Sequence, residues 1–474
     1  MVAMAERFER RMSEAEALMW TLEKDPALRS SFLQVTFLDR AADYERFRAR
    51  IANAVKAIPR LGQRVVPPPA RLAPPAWEND PSFDLDFHVR HMAVAAPGTD
   101  RQLLDLAAVH YQDSFDRARP LWDFTIVEGL VGDRGALLAK LHHTITDGVG
   151  GVRLSAEFID AERDAPLPEP EAIPANDAGV TGDRRGPGRP GGLDELTDAV
   201  GHVLRRQLGL TRRSAGAVLR TALNPTRLIT LAGESTDVLG SVVRQMLVTD
   251  GAHSPLWGGQ RSLGRRFEVL TVELDRLKDA SNRLGGTLND GFVTAVAGGI
   301  AAYHREHGVE VDELRMSMPV STRTDKGSGG NAFTPTRVLL PVGLKNPAER
   351  FAAVHDRLQV TKRERAIAFT DLLAGMMNAL PTAMVVAFAR RQVETVDFAT
   401  SNVRAAPFDL FIAGAEILSN HPMGPTAGTA LNATVMSYRN QMDVGINLDT
   451  AAVDQPDLLR ECISDAFNEV MAAT

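Results

Sequence analysis

The sequence predicts an α+β protein in two halves, each a mixed sheet with helices packed against it. Strand-like and helix-like segments follow one another without the strict alternation of an all-parallel sheet. The 474 residues exceed what one ordinary core accommodates. Ala161 to Gly192, dominated by Pro, Gly, Asp, Glu and Arg, reads as a linker or surface loop, and a second globular portion starts near Arg265. The expected division is residues 1–165, a connector over 166–260, and residues 261–474.

Ser13-Glu14-Ala15-Glu16 is an N-cap followed by acidic first-turn residues, opening a short helix through Leu18 and Trp20. Phe32 to Leu38 is apolar and rich in β-formers, hence a strand. Phe47, Ile51, Val55 and Ile58 recur at helical spacing within Tyr44–Ile58. Pro67-Pro68-Pro69 and Pro74-Pro75 force an extended segment, since each ring fixes φ and removes a donor. Asp84 to Val94 alternates as a strand, and Leu103 to Ser114 reads as a helix. Phe124–Leu130 and Ala136–His143 flank Gly132-Asp133-Arg134-Gly135 as a hairpin. After Gly148, the residues Val149, Val152, Ala156 and Ile159 share one helix face.

Leu193 to Leu247 has helical patterning, broken near Asn224-Pro225. Beyond Arg265 the pattern gives strands at Phe267–Leu274, Arg315–Val320 and Thr336–Val342, with a long helix at Thr287–Arg305. Helical patterning runs over Asn346–Arg365 and Ala366–Arg391, and Leu431–Tyr438 with Gln441–Leu448 forms a second hairpin. Pro456 opens the last helix, whose apolar stripe carries Leu459, Cys462, Ile463, Ala466, Phe467, Val470 and Met471.

Hydrophobic content of 44% and charged content of 24% belong to a globular protein. A net charge of −7 gives no reason to expect nucleic-acid binding. The single cysteine, Cys462, excludes an intrachain disulfide and suits a reducing compartment. Met1 to Met12 holds no apolar signal region, and no apolar run approaches the roughly 18 residues of a membrane span. The expected location is cytoplasmic.

The densest chemistry lies at His142-His143-Thr144-Ile145-Thr146-Asp147-Gly148, where a strand ends and a helix begins. Strand alternation puts His143 on one face with Leu137, Ala139 and Leu141, and turns His142 the other way. A neutral imidazole has a free pKa of about 6.5, so His143 is suited to take a proton near neutral pH, with Asp147 as an orienting carboxylate. The residues alone equally allow structural histidines. Neighbouring histidines on a strand point apart, and no further Cys/His/Asp cluster completes a metal site, so no metal is expected.

Other schemes find less support. No G-x-S-x-G elbow or P-loop occurs, and Cys462 is explained by packing. His304-Arg305-Glu306-His307 reads as a solvated helix end. Thr287 with Asp290 is a capping box, which leaves Asn289 free. Val200 to Ala232 contains six arginines and no acidic residue, as either a helix in an anionic membrane interface or an interdomain helix with a basic face.

With HHxxxDG at 142–148 the chain resembles the bacterial wax ester synthase/diacylglycerol acyltransferase family. The surroundings make the likeness specific: Pro81-Ser82-Phe83-Asp84-Leu85, His88-Val89-Arg90, Arg119-Pro120-Leu121-Trp122-Asp123, Asn289-Asp290, Pro319-Val320-Ser321-Thr322-Arg323, Gly330-Asn331, Ser401-Asn402-Val403 and Leu431–Tyr438 follow in the family's order. HHxxxDG alone also occurs in condensation domains of peptide synthetases. The chain departs at Pro26-Ala27-Leu28-Arg29, where the family often has Pro-Met-His, and at Val403-Arg404-Ala405-Ala406-Pro407, in place of Val-Pro-Gly-Pro.

The resemblance implies two chloramphenicol-acetyltransferase-like halves with the motif in a tunnel between them. It implies His143 as the general base, with His142, Asp147 and Gly148 shaping the loop. Asn289, Asp290, Ser401 and Asn402 become supporting or oxyanion candidates, and Pro120, Leu121 and Trp122 substrate-binding candidates. The implied reaction joins a long-chain acyl-CoA, as co-substrate and with no bound cofactor, to diacylglycerol or a fatty alcohol. A peripheral membrane, at its inner face, or a lipid-droplet surface is the implied partner. The alternatives are a condensation-type acyltransferase with another donor or acceptor, and a catalytically silent lipid-surface protein.

Overall fold

The computed structural model describes residues 9–68, 73–146, 148–167, 254–258, 261–321, 333–363, 377–378 and 381–473. The expected basic helix at Val200–Ala232, the patterning over Leu193–Leu247, and Asp147 lie outside the described residues.

The first half opens with α1 (Glu14–Leu22), whose Ser13 and Glu16 form the capping box. It continues through β1 (Ser31–Leu38), α2 (Tyr44–Ala57), the short pair β2 (Gln63–Val66) and β3 (Ala76–Asn79), and a single helical turn, α3 (Leu85–His88). Then come β4 (Val89–Ala93), α4 (Asp100–Gln112), the hairpin β5 (Trp122–Glu128) and β6 (Gly135–His142), and α5 (Gly148–Ser155). The expected strand at Asp84–Val94 is therefore half helix. The Asp84 side chain accepts from Asp86 N–H and starts a turn, which buries His88 with its Nδ1 2.6 Å from Trp122 O.

The second half comprises β7 (Arg265–Glu273), α6 (Leu274–Arg283), α7 (Leu288–Glu306), β8 (Glu313–Ser321), β9 (Phe333–Pro341), α8 (Pro347–Arg363) and α9 (Thr382–Val393). It closes with β10 (Phe398–Arg404), β11 (Phe411–Ile412), β12 (Ala415–Met423), β13 (Leu431–Tyr438), β14 (Gln441–Asp449) and α10 (Pro456–Ala472). α7 is buried along almost its whole length. Its mid-helix glycines serve contact: a Cβ on Gly299 would sit 2.4 Å from Ile463 Cα in α10. Cys462 packs on the buried stripe of α10, and burial raises its thiol pKa.

Two six-stranded mixed sheets result, in the orders β11-β12-β1-β6-β5-β4 and β7-β14-β13-β10-β8-β9. β12 belongs to the second half in sequence but pairs antiparallel with β1 of the first. β11 pairs with β12 on its other edge, so two strands from the second half complete the first sheet. No helix of the described residues is long and apolar enough to cross a membrane.

Candidate active site

β6 runs in the middle of the first sheet and is buried throughout. At its end His143 N–H donates to Ser30 O at 3.0 Å, which holds the tandem in register with the approach to β1. Beyond this point the pleat separates the two imidazoles, as alternation predicts. His143, half-buried, lies with its ring centroid 4.7 Å from that of Phe32. It lines a cavity of about 1040 Å³ together with Leu137, Ala139 and Leu141.

His142 turns to the opposite face and is 1% exposed. Thr144 N–H donates to its Nδ1 at 3.1 Å, and Thr144 Oγ1 lies 2.7 Å from the same nitrogen. Nε2 then carries the proton and donates to Glu23 Oε2 at 3.0 Å. Glu23 Oε2 also accepts from Ser30 N–H at 3.0 Å. Burial pushes the Glu23 pKa up, but the hydrogen bonds from His142 and the Ser30 N–H, with the charge of Arg29, outweigh it and hold the carboxyl below its ordinary range. Sequence reasoning missed Glu23, because a lone acidic residue just past a helix end carries no local signal.

Behind His142, the same face of β6 carries Lys140, whose Nζ donates to His110 O at 2.8 Å and to Asp113 O at 2.7 Å. His110 Nε2 lies 2.5 Å from Asp123 Oδ1. Burial raises Asp123, but the His110 hydrogen bond and the charges of His110 and Lys140 bring it below the usual range. This satisfied buried network fixes the strand from behind.

The remaining candidates divide. Ser401 and Asn402 of β10 line the His143 cavity, and Asn402 Nδ2 donates to Asn289 Oδ1 at 3.3 Å, joining the two sequence motifs. Asp290 is fully buried; its Oδ2 accepts from Thr287 N at 2.8 Å, from Thr287 Oγ1 at 2.9 Å and lies 2.8 Å from His355 Nδ1. Capping is thus its observed work. Gly148 opens α5.

Pro120, Leu121 and Trp122 do not line the cavity. Trp122 is a core residue, with Nε1 donating to Leu61 O at 2.8 Å and its ring stacked on His88. Its size and apolar surface explain it without a substrate. The reading of His304 as solvated is likewise corrected: it is fully buried, with Nε2 2.6 Å from Ser254 Oγ and Nδ1 2.8 Å from Ile300 O. The Ser254 segment covers the helix end, and its distance in sequence hid this. Among the described residues no three His, Cys, Asp or Glu side chains are placed to hold a metal ion.

The cavity draws on both halves. α1 supplies Leu18, Met19 and Leu22, and α9 supplies Val385, Phe388 and Val393. Its lining is mostly apolar, with a polar seam where the two sheets meet.

Residues 1–292 match the sequence model of the wax ester synthase/diacylglycerol acyltransferase catalytic domain, and residues 329–471 that of the WS/DGAT C-terminal domain. The chain belongs to this family. A Mycobacterium tuberculosis relative named as a diacylglycerol O-acyltransferase is 34% identical over 469 residues, covering 97% of this chain and 91% of that protein. Another of that organism, similarly named, is 28% identical over 449 residues, with 91% and 89% covered.

Among solved structures, the wax ester synthase/diacylglycerol acyltransferase from Marinobacter aquaeolei VT8 superposes with a TM-score of 0.62 at 19% identity, covering 97% of this chain and 98% of that one. The first condensation domain of the CDA synthetase gives 0.57 at 14% identity, with 98% and 97% covered. Both establish the shared chloramphenicol-acetyltransferase-like fold. As a member of the family the protein is an acyltransferase.

Proposed function

We propose that the protein transfers a long-chain acyl group from acyl-CoA directly to the hydroxyl of diacylglycerol or of a fatty alcohol, giving triacylglycerol or wax ester. One observation carries the reading: His143 lines a large, mostly apolar cavity shared by both halves, while His142 is turned away and bonded. Neutral imidazole at His143 accepts the hydroxyl proton as the oxygen bonds to the thioester carbonyl carbon. Collapse of the tetrahedral adduct breaks the C–S bond, and the departing sulfur takes the proton back, so ester and free CoA are the products. Ser401 and the Asn402–Asn289 pair supply the donor for the developing oxyanion. The apolar lining suits acyl chains, whose methylenes each favour burial by about 0.8 kcal/mol. The family resemblance gives Asp147, outside the described residues, the part of orienting the loop. Lipid substrates also make peripheral contact with a membrane or droplet surface the expected setting.

The test is release of free CoA by purified protein given palmitoyl-CoA with diolein or hexadecanol, followed by chromatography of the lipid product. His143→Ala is expected to abolish release. Equal release by wild type and His143→Ala would overturn the mechanism.

A further inference from the structure

The seam in the cavity wall is built. On β1, Gln34 and Thr36 face the cavity, opposite Ala139 and Leu137 of β6. The exchanged strand β12 sets Asn420 beside Thr36. Asn420 Oδ1 accepts from Gln34 Nε2 at 3.0 Å and from Thr36 Oγ1 at 2.7 Å. Gln34 Nε2 also lies 3.6 Å from Met436 Sδ of β13, so the side chain reaches the second sheet. Thr36 and Asn420 are only 2% and 5% exposed.

Both donated hydrogen bonds converge on one oxygen. That commits Asn420 Oδ1 and orients an amide oxygen on Gln34 and an amide N–H on Asn420, an acceptor and a donor for a third group. Desolvating such groups beside an acyl chain is unfavourable unless a partner arrives. None of the three side chains is charged, and a charged ligand here would lose its hydration without a counter-ion. The complement is therefore a neutral hydroxyl or amide. Ser30, whose carbonyl holds His143, lies four residues from Gln34 along β1, about 14 Å at strand rise.

We propose that Gln34, Thr36 and Asn420 form a polar station for an uncharged hydroxyl or amide carried by a substrate that lies along the cavity from His143. The proposal rests on the acyl-transfer reading of His143. That chemistry has two sources: an oxygen in the middle of the acyl chain, or the amides and hydroxyl of the pantetheine arm of CoA.

The experiment compares wild type with Gln34→Leu on octadecanoyl-CoA, 12-hydroxyoctadecanoyl-CoA and the octadecanoyl thioester of N-acetylcysteamine, which lacks most of the arm. Gln34→Ala is the second variant; an effect of space alone appears in Ala and not in Leu. If the station holds a mid-chain oxygen, Gln34→Leu lowers the ratio of kcat/KM for the hydroxylated over the plain chain by about tenfold. If it holds pantetheine, the ratio of kcat/KM for CoA over the truncated thioester falls by a similar factor. Both ratios unchanged in Gln34→Leu, or changed only in Gln34→Ala, overturns the proposal. Failure of wild type to acylate any acceptor from octadecanoyl-CoA would instead refute the transfer reading itself.

Discussion

Removing the Glu23 carboxylate tests how the histidine tandem is held. Its Oε2 accepts both His142 Nε2–H and Ser30 N–H at 3.0 Å, and the Ser30 carbonyl holds His143 N–H. Hydrogen bonds to a charged group are each worth about 1.5–3 kcal/mol. Glu23→Ala leaves two inward-facing donors, so a loss of about 2–4 kcal/mol in unfolding free energy is expected by urea titration. Glu23→Gln can set its amide oxygen where Oε2 sits and keep both bonds without the charge, so its loss should be about half as large.

The effect is pH-dependent with a definite sign. The folded-state pKa of Glu23 lies below the ordinary value, so its stabilisation is present at neutral pH and disappears as pH falls through that lowered pKa. The gap between wild type and Glu23→Ala should therefore close in acid. Because the carboxylate acts through backbone register, kcat should fall by roughly 10–100-fold with KM little changed. Wild-type stability and kcat in Glu23→Ala at pH 7 would refute the clamp.

Three further outcomes follow from particular contacts. Gly299→Ala drives a Cβ to within 2.4 Å of Ile463 Cα and should cost about 1–3 kcal/mol, read as a lowered Tm. Trp122→Phe loses the Nε1 bond to Leu61 O and should cost about 1–2 kcal/mol without changing KM; a large rise in KM would restore Trp122 to the substrate site. Burial raises the Asp443 pKa to about 6, against hydrogen bonds from Asn420 N and Thr271 Oγ1. The folded state then binds the extra proton, so stability declines as pH rises from about 4 to 6. Asp443→Asn should flatten that slope in urea titrations, and an unchanged slope would show that Asp443 is not its source.

Much of this was legible in the chain, for identifiable reasons. The N-cap at Ser13, the capping box at Thr287, the hairpin into His143 and the stripe of α10 are local patterns. The opposed directions of His142 and His143 follow from the pleat alone. What escaped is non-local. β12 reads poorly as a strand because Asn420, His421 and Pro422 interrupt it, yet their polar groups are satisfied across the sheet join. β10 carries Ser401, Asn402 and Arg404 because it faces the cavity. Trp122 drew attention as part of a motif, whereas its environment is core.

The exchange of β12 has a consequence for biogenesis. β1 is paired on one edge with β6, only about a hundred residues away, and on the other with β12, so the bond from Thr36 to Asn420 closes over 384 residues. During synthesis from the N-terminus, one edge of the strand that abuts the histidine tandem must wait, unpaired and open to wrong partners, until most of the polypeptide has left the ribosome. Such a topology makes assembly late and all-or-none: the transfer chamber comes into being in nearly the same event as the completed fold, and a truncated nascent chain is an aggregation hazard rather than a smaller enzyme.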